Sequence, residues 1–584
     1  MKRHFSATIL LPLLCLLVLL KAGWCSAATF TWNGSVSTDW FNKTNWTPAG
    51  VPASTDTINF TSGTINLTNT VAIGGLFNWS GGTLSGNPWA IANGGVLNIS
   101  GNVSLENALT NAGTVIMTGA ANLNVFNNLT SYLGKIYNLA GALWDIQTNA
   151  SINCEYCAGN EFFNNAGTLL RSQGSGTATI DVAFTNTITG TVTNLIGTLL
   201  FNEGGLLTGT YDTAAGATIA FNSGSFTMGV PPVISGPGLC EFNGTTLTLT
   251  QNVPTNLVLA AGSLILGPAF QGSSGITNLT LSGSTLSSTN TVKGTLNWVS
   301  GTITGPLTIT NGGVLNISGN VSLQNVLTNA GTVIMTGAAN LNVFNSAPTY
   351  LGKIYNLAGA LWDIQTNANI NCEYCVGNEF FNNAGTLLKS QGSGTATIGV
   401  AFTNTATVDA LVGTLSFSGN FTTVGGTLAF GVSGLASFGQ IHVSGNVALN
   451  GTASATWLNG FVPAVGNSFA LLDYGSHSGT FATIALPTGS LGQGIYGTTV
   501  FSLMITSVTT QTNPPVFLNI KLANPSNVVV SWPTSATNYS LQTSTNLSSG
   551  GWSNITTGIV MVSTNNVLTN KMNGKAGFFR LLSP

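Results

Sequence analysis

A duplication constrains this chain more than any other feature. Residues 93–186 return as 311–404 at a constant offset of 218, with only ten of 94 aligned positions changed. Among the changes are Arg171 against Lys389, Asp181 against Gly399 and Ser151 against Asn369. The flanks join in, GLFNWSGGTLSG (75–86) reappearing as GTLNWVSGTITG (294–305). Identity this high reflects a recent event and says little about function. It does bear on architecture, because a chain that absorbs 218 residues of itself is modular along one axis.

From about 60 to 440 no stretch keeps a helical period for three turns. Short runs of Leu, Val, Ile, Phe and Thr alternate with Gly and Asn, the pattern of strands of four to six residues joined by tight turns. One turn phrase recurs: TNAGTV (110–115), NLAGAL (138–143), NNAGTL (164–169) and NLIGTL (194–199). Its glycines, Gly113, Gly141, Gly167 and Gly197, are 28, 26 and 30 residues apart. Asn and Gly tolerate the left-handed backbone of a tight corner. The phrase therefore predicts coils, each Gly opening a strand that stacks on its counterpart one coil below, with Asn amides bonded along the axis. A β-sandwich array would instead show unrelated strands within each domain. The expected fold is all-β, a right-handed parallel β-solenoid (β-helix) with a small C-terminal β-sandwich. About 380 solenoid residues at about 25 per coil give ~15 coils.

Residues 1–28 read as a secretory signal peptide: Lys2, Arg3 and His4, an apolar run from Ile9 to Leu20, then Ser26-Ala27-Ala28 before Thr29. That run is shorter than the roughly 20 residues a bilayer core needs. Its removal leaves ten basic against fifteen acidic residues. Charged residues are 5% of the chain, where about 25% is usual. Asn, Thr and Ser take the solvent positions instead. With no basic patch, nucleic acid and anionic lipid are excluded as partners. Five cysteines remain beyond the signal, as two Cys-Glu-Tyr-Cys phrases plus Cys240. In an oxidising compartment this predicts disulfides Cys154–Cys157 and Cys372–Cys375 and one buried thiol.

Residues 29–60 hold Trp32, Trp40 and Trp46 and are expected to cap the first coil of a solenoid spanning 61–505. Near 413–487 the text changes to GTLSFSGNF and VSGNVALNGT, then a run from Trp457 to Pro487. Here the chain resembles passenger regions of bacterial autotransporters and related secreted β-helical proteins, and TWNGSVSTDWFNKTNW looks like their N-terminal segment. The resemblance implies a β-helix at the outer cell surface or secreted from a bacterium. No translocator barrel is expected after Pro487. A joint at about 506–515 leads to 516–584, whose VVVSWP (528–533), TNYSLQTSTNLSSGGW (537–552) and GFFRLL (577–582) resemble fibronectin-III-like or immunoglobulin-like sandwiches with Trp532 and Tyr539 in the core.

The chemistry-bearing residues are few. The acids Asp145, Glu155 and Glu161, with copies Asp363, Glu373 and Glu379, form the one acidic cluster, lacking an Arg, and are expected to be exposed and dispensable. A zinc ribbon from the four paired cysteines fails on distance, since copies eight to ten coils apart lie some 40 Å from each other. His442 and His477 have no obvious partner in sequence. No catalytic residue, cofactor or metal site is expected. The expected function is a non-enzymatic adhesin-like or structural protein, presenting an extended polar face to extracellular polysaccharide, cell-surface glycans or neighbouring cells. The competing reading is a carbohydrate-active β-helix enzyme, a polysaccharide lyase or glycoside hydrolase.

Overall fold

Strict alternation decides the architecture. Strands such as Ala108–Asn111, Thr114–Met117 and Asn122–Val125 bury their second and fourth side chains and turn the others outward. A two-residue period with one apolar side is satisfied by closing strands around a shared interior. In the computed structural model that closure is a parallel β-solenoid of about 19 coils. The structure describes residues 27–157, 160–272, 275–375, 378–419, 421–508, 516–524, 526–545, 551–571 and 577–582. The signal-peptide reading falls on residues 1–26 and so lies outside them. Among the described residues there is no α-helix, and none long and apolar enough to cross a membrane.

Each coil contributes short strands to three parallel faces. The first face runs from Thr29–Trp32 through Thr57–Phe60, Leu76–Trp79 and Val96–Ile99. The second takes in Thr64–Leu67, Gly82–Gly86 and Val103–Leu105, and the third Val71–Ile73, Trp89–Ile91 and Ala108–Asn111. Inward side chains stack coil on coil. The rings of Phe163, Phe184, Phe201 and Phe221 follow one another at centroid distances of 5.6, 4.5 and 5.5 Å.

Polar side chains also enter the interior, most regularly as a ladder of asparagines. At the corner between the third and first faces, Asn111 Nδ2 donates to Asn138 Oδ1 (2.8 Å), Asn138 to Asn165 (2.7 Å) and Asn165 to Asn186 (2.8 Å). None is more than 1% exposed. Asn329, Asn356, Asn383 and Asn404 repeat the ladder in the second copy. The glycines of the turn phrase serve two needs. Gly141 takes the left-handed φ of +83°, whereas a Cβ on Gly167 would strike the carbonyl oxygens of Leu139 and Ala142.

Three of the four turn phrases sit at this corner, and the fourth does not. Asn194–Leu199 joins the first-face strand Thr191–Asn194 to the second-face strand Thr198–Phe201. The 30-residue spacing therefore does not measure a coil, and coil length varies. On the first face Thr114 follows Val96 by 18 residues and Leu143 follows Thr114 by 29. Shorter coils, together with a stack that begins at Thr29 and continues in parallel pairing to Thr483–Ala485, give about 19 where 15 were expected.

The duplication period is not a whole number of coils. Ten successive parallel pairings carry the third-face column of Phe162–Asn165 up to Asn369–Cys372. Asn369–Cys372 is the copy of Ser151–Cys154, which belongs to the second face. The period is thus ten coils and one face, and every feature of the second copy lies one face further round. In between, strands become continuous at the corners: Asn290–Ile303 pairs in turn with Leu307–Ile309, Val314–Ile317 and Val321–Leu323.

At the N-terminal end Trp40 and Trp46 are 1% exposed, their rings meeting edge to face at 4.8 Å, and Trp46 Nε1 donates to the Trp40 carbonyl (2.8 Å). Thr29–Trp32 is itself a first-face strand, so the Trp-rich segment is both cap and first coil. At the other end Ser468–Asp473 pairs antiparallel with Val500–Met504, ending the parallel stack.

The chain divides into two compact units, 1–487 with 492–506, and 488–491 with 507–584. In the second, Asn527–Pro533 is the centre of an antiparallel sheet with Asn519–Asn524, Asn565–Lys571 and Ile559–Val562, while Ser540–Ser544 pairs with Ser553–Asn554 and Phe578–Leu582. Val530, Trp532, Ala536, Leu541 and Leu568 form its core, with Tyr539 packed against them.

Candidate functional site

Chemistry concentrates at the corner between the strands ending in Cys154 or Cys372 and the strands that follow. Each cysteine pair closes a four-residue loop there, Cys154 bonded to Cys157 and Cys372 to Cys375. Cys157 and Cys375 take positive φ (50° and 53°). Glu203 lies within 4.8 Å of the first pair, but sulfurs joined to each other offer no thiolate to a metal.

The six candidate acids separate. Glu155 is inside the disulfide loop and Glu161 follows it, whereas Asp145 is on the first-face strand Leu143–Ile146. The expectation that all are exposed fails for four of them. Glu161 and Glu379 are 1% exposed, Asp145 and Asp363 6%; only Glu155 and Glu373 face solvent. Asp145 accepts from Gln147 Nε2 (2.7 Å), as Asp363 does from Gln365. Glu161 Oε1 accepts the backbone N–H groups of Asn127 (3.2 Å) and Tyr156 (3.1 Å), and Glu379 Oε1 those of Asn345 (3.3 Å) and Tyr374 (3.0 Å). Buried inside the corner, Oε2 of each has no hydrogen-bond partner. In sequence these acids read as surface charge because the strand that buries them comes from a different coil.

The two copies differ where it matters. In the first, Ile152 pairs with Ile180, Ile180 with Phe201 and Phe201 with Phe221, so the following residues Asn153, Asp181, Asn202 and Asn222 line up along the axis. They satisfy one another: Asn202 Nδ2 donates to Asp181 Oδ1 (2.7 Å) and Asn222 Nδ2 to Asn202 Oδ1 (3.2 Å). Burial raises the Asp181 carboxyl, partly offset by the Asn202 bond. Burial also raises Glu203, helped by repulsion from Asp181 and Glu161.

In the second copy Ile370 pairs with Ile398, Ile398 with Phe417 and Phe417 with Val443, and the line reads Asn371, Gly399, Ser418, Ser444. Small residues replace the ladder, and an open groove of about 940 Å³ results. Glu373, Glu379, Thr397 and the Cys372–Cys375 loop complete its walls. Asp181 and Gly399 were visible as a difference between copies, but only the stacking shows what the glycine vacates.

Other titratable groups lie elsewhere. Arg171 is fully buried on the first face, yet meets no carboxylate. Its guanidinium donates to the carbonyls of Thr148, Gly174, Gly176 and Ile196 and to Asn149 Oδ1, at 2.6–3.0 Å. Lys389, its copy, is equally buried and reaches the Thr366 carbonyl (2.6 Å), the Gln391 carbonyl (3.0 Å) and Asn367 Oδ1 (3.4 Å). Burial lowers the Lys389 ammonium to about 8. Cys240 is the buried thiol expected, pushed up to about 12 by burial. His442, without a partner in sequence, gains one from the next coil: Nδ1 is 3.1 Å from Asp473 Oδ2, both about half exposed. Ser416 is its register partner on the preceding coil, but no Ser416–His442 hydrogen bond joins them among the described residues.

No protein-family model matches this chain, and no curated protein matches it in sequence. Among solved structures it aligns with the crystal structure of the Haemophilus influenzae Hap adhesin at 11% identity and a TM-score of 0.28. The alignment covers 78% of this chain and 64% of that one, so the chain spans less than two thirds of the adhesin's length.

Proposed function

We propose that this is a non-enzymatic extracellular or cell-surface protein, adhesin-like or structural, that presents an extended polar face to carbohydrate or to neighbouring cells. The observation that carries it is the outward line of uncharged groups. Asn59, Asn78 and Asn98 are linked by their amides on the first face (2.9 and 3.3 Å), and Asn124 and Asn153 on the second (2.8 Å). Asn297 and Asn316, Asn320 with Asn340 and Asn369, and Asn342 with Asn371 continue the habit beyond residue 290. Such rows repeat every ~4.8 Å and hold amide donors and acceptors in fixed orientation. A rigid array loses little entropy on binding, which suits many weak hydrogen bonds to a polyhydroxylated surface. With charge at 5% of residues, the array neither attracts nor repels ions strongly.

The test is co-sedimentation of the purified protein with insoluble and gel-forming polysaccharides, followed by assay of the supernatant for new reducing or unsaturated ends. Binding without new ends is the expected result. Release of such ends would replace this reading with the carbohydrate-active enzyme.

A further inference from the structure

The groove of the second copy is built for one kind of guest. Its long direction follows the solenoid axis, because Asn371, Gly399, Ser418 and Ser444 come from four successive coils. It therefore offers the polar side chains of Asn371, Ser418 and Ser444 on a coil spacing of ~4.8 Å, with Gly399 leaving one step open, a spacing comparable to the length of one pyranose ring in an extended chain. At about 940 Å³ it is at the upper end of the ~300–1,000 Å³ common for ligand sites.

The available groups are chosen for hydroxyls. Asn371 spends its Nδ2 on Asn342 (2.8 Å), leaving its own oxygen for a donor from outside. Ser444 Oγ donates to the Phe417 carbonyl (3.3 Å), and its lone pairs remain available to accept. The strongest demand comes from Glu379. The residue is 1% exposed and forms part of the groove wall; one of its oxygens is held by two backbone N–H groups, and the other is buried and unpartnered. A buried carboxylate oxygen left in that state is costly, and a sugar hydroxyl would satisfy it. The Cys372–Cys375 loop also carries Tyr374, 43% exposed and stacked on Tyr350 with centroids 6.0 Å apart. Such a ring is a platform for the apolar face of a sugar.

Charge narrows the class. Two carboxylates and no Lys or Arg line the groove, so uronic, sialylated and sulfated chains would be repelled. The first copy is an internal control. It keeps Glu161, the disulfide loop and the stacked pair Tyr132–Tyr156, but fills the line with Asp181, Asn202 and Asn222 bonded to one another.

We infer that the groove along Asn371, Gly399, Ser418 and Ser444 binds a linear, uncharged oligosaccharide lying parallel to the axis, with Glu379 accepting from its hydroxyls. This rests on the carbohydrate reading above and assigns it a site. A Cβ at Gly399 would approach the Ile370 carbonyl at 3.3 Å, and the backbone there needs no left-handed φ. The first copy carries Asp at this position, which makes Gly399→Asp the substitution that restores the first-copy line.

The experiment is isothermal titration calorimetry of the purified protein with cellohexaose, xylohexaose, mannohexaose and chitohexaose, and with hexagalacturonate as the anionic control. At least one neutral hexaose binds at one site per chain, and hexagalacturonate does not. Gly399→Asp and Glu379→Gln each weaken that binding about tenfold or more, with circular dichroism unchanged. If Gly399→Asp fails to fold, Glu379→Gln decides alone. The groove is the wrong site if the folded variants bind as wild type does while the broader carbohydrate reading stands. Both readings fall if neither the hexaoses nor intact polysaccharides bind. A calcium titration supplies the last arm: calcium binding lost in Glu379→Gln, with no sugar bound, would make this a cation site and overturn the proposal.

Discussion

Lys389 shows how much one buried side chain can carry. Its first-copy counterpart Arg171 spreads a permanent charge over five acceptors, whereas the shorter ammonium reaches three. Burial lowers Lys389 from 10.5 to about 8. Between those values the unfolded chain holds a proton that the folded chain has released, so stability rises with pH through that window. Below about 8 both states are protonated and the full cost of burying the charge is felt. Lys389→Arg, matching the first copy, should stabilise the protein at pH 7 by on the order of 1–3 kcal/mol. That gain should shrink as the pH climbs toward 10.5, which urea midpoints of both proteins at pH 7, 8.5 and 10 will reveal. A gain that stays constant with pH would show that Lys389 is not the titrating group. The asparagine ladder is the other residue-scale device. Asn138→Leu removes the acceptor for Asn111 and the donor to Asn165 and should cost about 2–4 kcal/mol by the same measurement. The ladder was legible in the repeating Asn of the turn phrase. The burial of Arg171, Lys389 and Glu379 was not, because each is covered by coils 20 or more residues away, as the Arg171–Thr148 contact is.

At the scale of the element, the coil was legible and its length was not. Alternation and Asn-Gly corners are local properties, so the strands could be read directly from residues 108–125. Counting coils required knowing which corner each phrase occupies. Asn194–Leu199 carries the same letters at a different corner, since any tight turn into a strand selects Asn and Gly. The duplication gives the sharpest test of coil modularity. Deleting residues 94–311 joins Asn93 to Gly312, remaking a junction that exists at Asn311–Gly312. All later coils rotate together by one face, and no interface is lost except by length. The product should be soluble, with a β-rich circular dichroism spectrum and a melting transition close to that of the parent. Recovery only as aggregate would show that the copies are not interchangeable stacking units.

For the molecule as a whole, scarcity of charge is the governing property. Ten basic and fifteen acidic residues beyond position 28 are spread over more than 550 positions, and His442–Asp473 is the sole ion pair among the described residues. Screening therefore has little to act on. Raising sodium chloride from 50 to 500 mM should shift the melting temperature by no more than about 2 °C; a larger fall would point to electrostatic contacts that the outward Asn, Thr and Ser rows do not supply. Composition alone announced this much. The groove of the second copy could not be announced, since it depends on which residues stack across four coils.

The extra face in the duplication period has a consequence for engagement. Had the period been ten coils, both disulfide loops would look the same way, and one flat partner could meet both. As built, the loops sit on different faces of the stack, ten coils and one face apart. A plane touches one of them at a time; a mesh of fibres passing on several sides can touch both. Duplication here widens the angle from which a partner can approach, without lengthening the reach of any single side.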